Sequence, residues 1–201
     1  MFKQLISSIS ALLWLLLAGD LHAATHDHFK IARKDYGYST EFEIDAHHNH
    51  ATIKKSLFTV RTCYSLYDSS GEYQGYGACR LLCLGVFYNW ATEIDIYDAK
   101  GRWIGLIDGQ MGTTAAAKFS IYDASSKRVG IAYLDKEKTG FTIVDPENGE
   151  LRIASYMRQF IPDAPDHWVV EIYRPDAIDS LIMRIFAAFA VDRQASFRAD
   201  T

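Results

Sequence analysis

Histidines are concentrated near the start of the chain and are the first residues that could bind a metal. Those that follow Ala23 are His26, His28, His47, His48 and His50, in the fragments ATHDH and DAHHNH. Neutral imidazole is a common ligand of divalent transition metals. If the chain is cleaved after Ala23, the new terminus Ala24-Thr25-His26 offers an amine, two amides and an imidazole, a set suited to square-planar Cu(II) or Ni(II). Residues 24–50 therefore allow two interpretations, a metal-capturing segment or a flexible, solvated lead segment with scattered histidines.

The three cysteines, Cys63, Cys79 and Cys83, could form one disulfide and leave one thiol over. The Cys-x3-Cys spacing, without a second pair, disfavours a zinc site or a thioredoxin-type motif. A turn centred near Ser70 places the position opposite Cys63 at about Gly77, so a bulge would bring Cys79 into range. We expect a Cys63–Cys79 disulfide if any bridge forms in an oxidising compartment.

An aspartate recurs in four copies of one sequence pattern. The copies are YSLYDSSGEYQGYG, IDIYDAKGRWIGLI, FSIYDASSKRVGIA and FTIVDPENGELRIA, with Asp68, Asp98, Asp123 and Asp145. Such an array could in principle bind calcium or act in catalysis. An aspartate at the start of a turn more often accepts hydrogen bonds from its own backbone, and these four belong to four separate hairpins. We therefore predict a structural role for them.

One small group of basic residues, Lys54, Lys55 and Arg61, could bind an anionic lipid surface. Aromatic residues of the nearby stretch Leu81–Trp90 would complete that surface. The formal net charge of the chain is −4, whereas nucleic-acid binding calls for a strongly basic surface. The sequence therefore predicts no nucleic-acid partner and leaves an anionic lipid surface or an envelope protein as the expected partner.

No motif of catalysis is present: the sequence contains no GxSxG, HExxH or P-loop pattern. His167, which follows Asp163 and Asp166, is the one histidine beyond residue 50. It could serve in acid–base chemistry or mark the start of a strand, and the strand is the simpler interpretation. We predict no catalytic residues, no enzyme activity, and no cofactor apart from Cu or Ni at the mature N-terminus.

Alternating apolar residues predict a strand on each side of every aspartate turn. Ile94 and Ile96 precede Asp98 with the period of two that is typical of a half-buried strand. Ile104 and Leu106 are expected to face inward on the return strand. Glycine recurs seven places after three of the aspartates, where a neighbouring backbone can come close. Further strands are predicted at Ala51–Val60, Leu81–Trp90, Ser155–Phe160 and His167–Tyr173.

About a dozen strands in an up-and-down meander predict a closed antiparallel barrel, because closure removes the exposed strand edges. The stretch Ala177–Val191, AIDSLIMRIFAAFAV, predicts a helix for its interior, since seven apolar residues from Ile185 leave no polar face for water. We expect Asp176 and Asp179 at the N-terminus of this helix. The side chains expected to face the strands are Leu181, Ile185, Phe186 and Phe189. The predicted fold class is all-β with one central, C-terminal hydrophobic helix.

The first residues have the features of a secretory signal peptide: a positive charge at Lys3, an apolar run from Ala11 to Ala18, and small residues before the cleavage position. An N-terminal membrane anchor is the alternative. We expect a secreted or periplasmic protein with no transmembrane span after cleavage. The expected organisation is a signal peptide at 1–23, a flexible His-rich lead at 24–50, the barrel at 51–192 and a tail at 193–201.

The motifs IDIYDAKGRWIG, KFSIYDASSKRVG and DSLIMRIFAAFAVD resemble the tubby C-terminal-like superfamily. LURP-one-related proteins are the most similar branch, and phospholipid scramblases are a related one. The resemblance covers Ala51 to about Asp192 and implies a barrel around a central helix. The functions associated with the family are phosphoinositide or membrane-lipid binding and lipid scrambling, and some members have no assigned activity. Two features depart from it: family members are mostly intracellular, and the tubby lipid site needs a basic cluster, for which Lys54, Lys55 and Arg61 are the nearest match without a recognisable motif. In addition, nothing after Asp192 could supply the membrane anchor of a scramblase.

The sequence thus predicts a secreted or periplasmic, non-enzymatic barrel protein that binds a lipid, a membrane or a protein. One alternative is an extracytoplasmic metal-capturing protein that uses the His-rich segment. A hydrolase without a recognisable motif is the less favoured alternative.

Overall fold

Twelve β-strands and one α-helix make up the computed structural model, within the residues that it describes: 27–47, 49–56, 60–83, 85, 91–110, 117–135, 139–159 and 167–197. The strands are β1 (Asp27–Asp35), β2 (Thr40–Ala46), β3 (Asn49–Lys55), β4 (Cys63–Asp68), β5 (Tyr73–Cys79), β6 (Glu93–Asp98), β7 (Trp103–Gln110), β8 (Lys118–Asp123), β9 (Arg128–Leu134), β10 (Gly140–Val144), β11 (Arg152–Gln159) and β12 (His167–Ile172). The helix, α1, is Ser180–Phe197.

These strands form one closed antiparallel barrel, as the sequence predicts. Each strand pairs with the next along the chain, and β1 closes the barrel by pairing with β12, where Phe29 lies opposite Val170. Because successive strands alternate in direction, the barrel has two different ends. We call the end with the aspartate turns and the β2–β3 connection the turn end, and the end with the connections after β1, β3, β5, β7 and β9 the loop end.

The described part of the predicted lead segment, 27–47 and 49–50, is not flexible, and that prediction is wrong there, because strands β1 and β2 belong to the barrel. Inward and outward residues alternate along β2, where Phe42 and Ile44 are buried and Glu43 is exposed. The buried side chains meet the core, while the polar ones face water. The barrel therefore includes β1, from Asp27, and does not begin at Ala51.

Two predicted strands are absent from the positions given to them. In the described part of Leu81–Trp90, residues 81–83 and 85 are not extended, and β5 pairs directly with β6; residues 84 and 86–90 lie outside the described residues. The described part of Ser155–Phe160, residues 155–159, is not separate from the return strand before it, because both belong to β11; Phe160 lies outside the described residues. The predicted number of about twelve strands is nevertheless right. The two strands predicted in error are offset by β1 and β2, which were not predicted.

Each repeated aspartate caps its own hairpin turn, as predicted. Asp98 Oδ1 accepts hydrogen bonds from the backbone N–H groups of Lys100 and Arg102, both at 2.9 Å. The backbone hydrogen bond from Arg102 is the main reason why the pKa of the Asp98 carboxyl lies below its ordinary value. Equivalent capping bonds occur at Asp68, Asp123 and Asp145.

A β-bulge in each of the four aspartate hairpins shifts the return strand by one residue. In the second hairpin the shift lies between Ile96 and Tyr97. Gly105 and Ile107 consequently face the interior, and Leu106 is only half-buried. The predicted inward position of Leu106 is therefore wrong, although Ile104 does pack against the core.

The helix α1 fills the barrel from the turn end to the loop end. It begins after Asp179, whose Oδ1 accepts a hydrogen bond from the Leu181 backbone N–H at 2.8 Å. Asp179 is therefore the N-cap, and Asp176 lies outside the helix. The four predicted inward side chains are all buried: Leu181, Ile185, Phe186 and Phe189.

An aromatic cluster surrounds Phe186 at the middle of the barrel. Its ring centre lies 5.6 Å from that of Phe119 and 5.3 Å from those of Phe141 and Tyr156, in edge-to-face arrangements. All four rings are buried. Aromatic pairs in this geometry contribute about 0.5–1.5 kcal/mol each beyond the burial of their area.

The repeated glycines allow α1 to lie close to the strands. A Cβ atom on Gly105 would overlap the backbone carbonyl oxygen of Tyr122 and would lie 2.7 Å from Cδ1 of Ile182. One on Gly75 would lie 2.6 Å from Cδ2 of Leu181. The glycines thus leave room in the barrel wall for the apolar helix, which accounts for the glycine of the repeat.

Candidate functional site

The predicted basic group of Lys54, Lys55 and Arg61 does not form one surface. Lys54 and Lys55 are neighbours on β3, and successive strand residues point to opposite faces. Lys54 is exposed, with its Nζ 3.6 Å from Glu41 Oε1. Lys55 turns inward, with its Nζ 2.8 Å from Asp192 Oδ2. Only Lys54 and Arg61 are exposed, so the three-residue lipid site is corrected to two separate exposed cations.

Asp192 is the centre of a polar cluster that closes the barrel at the loop end. It is buried, at 5% exposure, and its Oδ2 accepts a hydrogen bond from the Tyr64 hydroxyl at 2.8 Å. Besides Lys55, Arg33 Nη1 lies 3.3 Å from Asp192 Oδ1. The carboxylate thereby ties the end of α1 to β1, β3 and β4. Its partners lie far away in the sequence. The only sequence signal for the cluster is a carboxylate directly after the apolar run of α1.

The Tyr64 hydroxyl and the Cys79 thiol in and near this cluster are poorly suited to act as nucleophiles at neutral pH, because the pKa of each is raised. Burial raises the pKa of the Tyr64 hydroxyl, and the Asp192 charge raises it further. Burial also raises the pKa of the Cys79 thiol to about 12, although Arg193 opposes the shift. A protonated phenol and a protonated thiol are weak nucleophiles. The cluster therefore fits a structural role better than a catalytic one.

The predicted Cys63–Cys79 disulfide is not formed in the structure, where all three cysteines carry free thiols. Cys63 lies opposite Ala78 on the outer side of the β4–β5 pair, whereas Cys79 belongs to the buried core. The two side chains thus lie on opposite sides of the barrel wall, which explains the absence of the bond. Pairing in protein from an oxidising compartment stays a prediction.

Exposed apolar side chains stand next to Arg61 at the loop end. Leu82 is fully exposed, Val60 is 89% exposed and Leu81 is 48% exposed. The two chain segments run side by side, because the Cys79 backbone N–H donates to the Thr62 carbonyl at 2.9 Å. We call Val60, Arg61, Leu81 and Leu82 the loop-end patch.

The neighbouring Arg80 is held by two carboxylates. Its Nε and Nη2 donate to Asp95 at 2.7 Å each, and its Nη1 donates to Glu93 at 2.6 Å. The bidentate bonds from Arg80 lower the pKa of Asp95, although burial opposes the shift. Asp95 and Glu93 thus offset the charge of Arg80. Arg61, which also interacts electrostatically with Asp95, is the basic residue within the loop-end patch.

The described histidines of the predicted metal segment lie at the turn end. The rings of His28 and His47 are in edge contact, with 5.3 Å between their centres. His50 Nδ1 lies 3.4 Å from Asp45 Oδ1. His26 and His48 lie outside the described residues. Among the residues that the structure does describe, no group of three or more His, Cys, Asp or Glu side chains is placed to hold a metal ion.

His167 begins β12, where it lies opposite Ala32 of β1 and Gln159 of β11. The strand interpretation of this histidine is confirmed. Asp163 and Asp166 lie outside the described residues.

Comparisons with known proteins do not assign a family. No family model matches the chain, and no curated protein matches it. The X-ray structure of a protein from Arabidopsis thaliana aligns over 84% of this chain and 91% of that one, with 9% sequence identity and a TM-score of 0.35. At this TM-score the likeness carries no argument about the fold or the function. Within the described residues, no helix has the length and apolar character that crossing a membrane requires.

Proposed function

We propose that this protein is a non-enzymatic binding module that docks on anionic membrane surfaces through its loop-end patch. The observation that carries the proposal is the exposure of Leu82 and Val60 beside Arg61 on two adjacent chain segments. The barrel fold is consistent with a binding module. Its interior is occupied by α1 and the buried core residues, which leaves the outer surface and the loops for recognition.

The apolar side chains of the patch would supply most of the binding free energy. A leucine side chain that moves from water to an apolar environment gains about 1.5–3 kcal/mol. Val60 and Leu82 project from the molecule at almost full exposure, so neither would have to leave contacts in the folded protein. Insertion of such side chains to the level of the acyl chains is how proteins on a membrane surface bind without spanning it.

Arg61 would add an attraction that is sensitive to salt. A basic residue near an anionic membrane contributes about 1 kcal/mol, and the contribution decays within a Debye length. The net charge of −4 opposes approach from most directions. We therefore expect weak binding that favours the loop end and declines as the salt concentration rises.

Sedimentation with vesicles of phosphatidylcholine and phosphatidylglycerol at low ionic strength tests this function. Leu82→Asp should reduce the partition of the protein onto the vesicles by about tenfold or more, because it removes an apolar side chain and adds a repelled charge. Leu151→Asp is the matched control, since Leu151 is 43% exposed at the turn end. That variant should bind as the unaltered protein does.

Equal losses in the two variants would contradict docking through the loop-end patch. If the unaltered protein does not sediment with anionic vesicles even at low ionic strength, the membrane proposal is wrong. A protein partner in the envelope or the medium then becomes the better interpretation, since the same exposed side chains suit a protein interface.

The proposal includes an extracytoplasmic location and membership of the tubby C-terminal-like superfamily, on its LURP-one-related branch. The location rests on the signal-peptide features of residues 1–23, which lie outside the described residues. The family rests on the hairpin and helix motifs, and a closed twelve-stranded barrel with a C-terminal helix is compatible with it.

A further inference from the structure

Two imidazoles meet on the outside of the barrel at the turn end, away from the loop-end patch. His28 comes from the first residues of β1, and His47 comes from the turn that joins β2 to β3. Both side chains are exposed. The pairing of Phe29 with Ala46 places the two histidines at the next position along the β1–β2 ladder, so the barrel backbone sets their separation.

The distance between the rings suits two ligands of one tetrahedral metal ion. A Zn–N bond of about 2.0–2.1 Å, added to about 1.1 Å from the nitrogen to the ring centre, puts each ring centre about 3.2 Å from the metal. Two such rings at the tetrahedral angle have centres about 5.2 Å apart, whereas cis positions of a square plane give about 4.5 Å. The observed separation is 5.3 Å.

The surroundings of the pair favour a cation. His28 lies opposite Glu171 of β12, whose carboxylate accepts a hydrogen bond from the Tyr173 hydroxyl at 2.7 Å. Asp45, on the strand before His47, is exposed and lies 3.4 Å from His50. Lys30, which is opposite Asp45 in the β1–β2 pair, is the nearest cation along β1.

We propose that His28 and His47 bind one Zn(II) ion through one nitrogen each, with water completing a tetrahedral shell. This site differs from the Cu(II) or Ni(II) site that the sequence suggests at Ala24-Thr25-His26, because it uses no terminal amine and has a tetrahedral spacing. The ion would link β1 to the β2–β3 turn, next to the closure of the barrel by β1 and β12. The site is independent of membrane docking.

Zinc binding to the full chain, measured by calorimetry, tests the proposal. The expected result is one equivalent of Zn(II) bound and a melting temperature that rises with the zinc concentration, because a ligand of the native state stabilises it. His28→Ala and His47→Ala should each weaken the binding by at least about tenfold and abolish the rise. Both side chains are exposed, so both variants should melt like the unaltered protein without zinc.

Two variants separate this site from its neighbours. His50→Ala removes the histidine of the Asp45 pair, and His26→Ala removes the imidazole of the Ala24-Thr25-His26 segment; each should keep zinc affinity within about twofold of the unaltered protein. Leu82→Asp should bind zinc normally, which separates this site from the membrane-docking function. Absence of zinc binding overturns the proposal, as does zinc affinity that survives in both His28→Ala and His47→Ala, or that falls equally in His26→Ala or His50→Ala.

Discussion

At the scale of single residues, the repeated aspartates could be assigned from the sequence because their hydrogen bonds are local. An aspartate and two N–H groups that follow it within four residues form a unit that needs no distant partner. The role of Lys55 could not be assigned in the same way. Its inward direction depends on the register of β3, and its partner Asp192 lies 137 residues away.

The third hairpin departs from the repeat in a way that gives a prediction about stability. Ser126 has a positive φ of 61°, where the equivalent Gly71 and Gly101 have φ values of 82° and 75°. A residue with a side chain is strained in this left-handed region by about 1–2 kcal/mol. Glycine avoids that strain, but it gives up more conformational entropy on folding, which offsets part of the gain in stability.

Ser126→Gly should therefore raise the free energy of unfolding by about 0.5–1 kcal/mol in chemical denaturation. The reciprocal change, Gly101→Ser, should lower it by a similar amount and serves as the control. A Ser126→Gly variant less stable than the unaltered protein would show that the serine side chain contributes more to this turn than its backbone strain costs.

At the scale of elements, the hairpins and the helix were predictable, and the first two strands were missed. The aspartate hairpins combine a turn signal with period-two alternation, and α1 lacks a polar face, so each pattern has one interpretation. In β1 and β2 the same alternation is present, as in Phe42 and Ile44, but the surrounding histidines and acidic residues suggested a solvated segment. Outward strand positions in a barrel are solvated too, so a polar composition did not exclude a strand.

The central helix is the element whose loss should abolish the fold. Phe186 is fully buried among three aromatic rings, so Phe186→Asp would place an uncompensated charge there. The cost of several kcal/mol is comparable with the whole stability of a typical domain, about 5–15 kcal/mol. We expect insoluble or unfolded protein, as judged by circular dichroism and expression in the soluble fraction.

Phe186→Leu provides the control, because it keeps an apolar side chain of reduced volume and should fold with a loss of about 1–3 kcal/mol. If Phe186→Asp yielded soluble protein that melts cooperatively, the arrangement of the barrel around the helix would be wrong.

At the scale of the whole molecule, closure of the barrel was predictable from the sequence. The polar cluster around Asp192 at the loop end was not. A meander of about twelve strands has to close or leave two edges exposed, and that argument needs no knowledge of individual contacts. The seal at Asp192 depends on which inward residues of β1, β3 and β4 reach the end of α1. Which residues face inward depends on the β-bulges and on the inclusion of β1 and β2 among the strands. The periodicity of the sequence alone predicts neither of these features.

The Asp192 cluster should behave as a coupled unit. Asp192→Leu removes a carboxylate from Lys55 and Arg33, whose side chains keep only 21% and 25% exposure, although Arg33 Nε retains its ion pair with Asp35 Oδ2 at 3.0 Å. Because some water still reaches both cations, we expect a loss of about 2–4 kcal/mol, at or below the 3–5 kcal/mol typical of a broken buried pair. Lys55→Met should lose less, since Tyr64 and Arg33 still contact Asp192.

Combining the two substitutions shows whether Lys55 and Asp192 stabilise the barrel through each other. The double variant Lys55→Met/Asp192→Leu replaces the pair with apolar side chains, so it should be more stable than the sum of the single losses predicts, by at least about 1 kcal/mol in the double-mutant cycle. Tyr64 hydrogen-bonds the same carboxylate and is unchanged in both Asp192 variants, so its lost bond cancels in the cycle. Strictly additive losses would mean that the helix end is held by packing around Phe189 and Val191 and that the ion pair contributes nothing of its own.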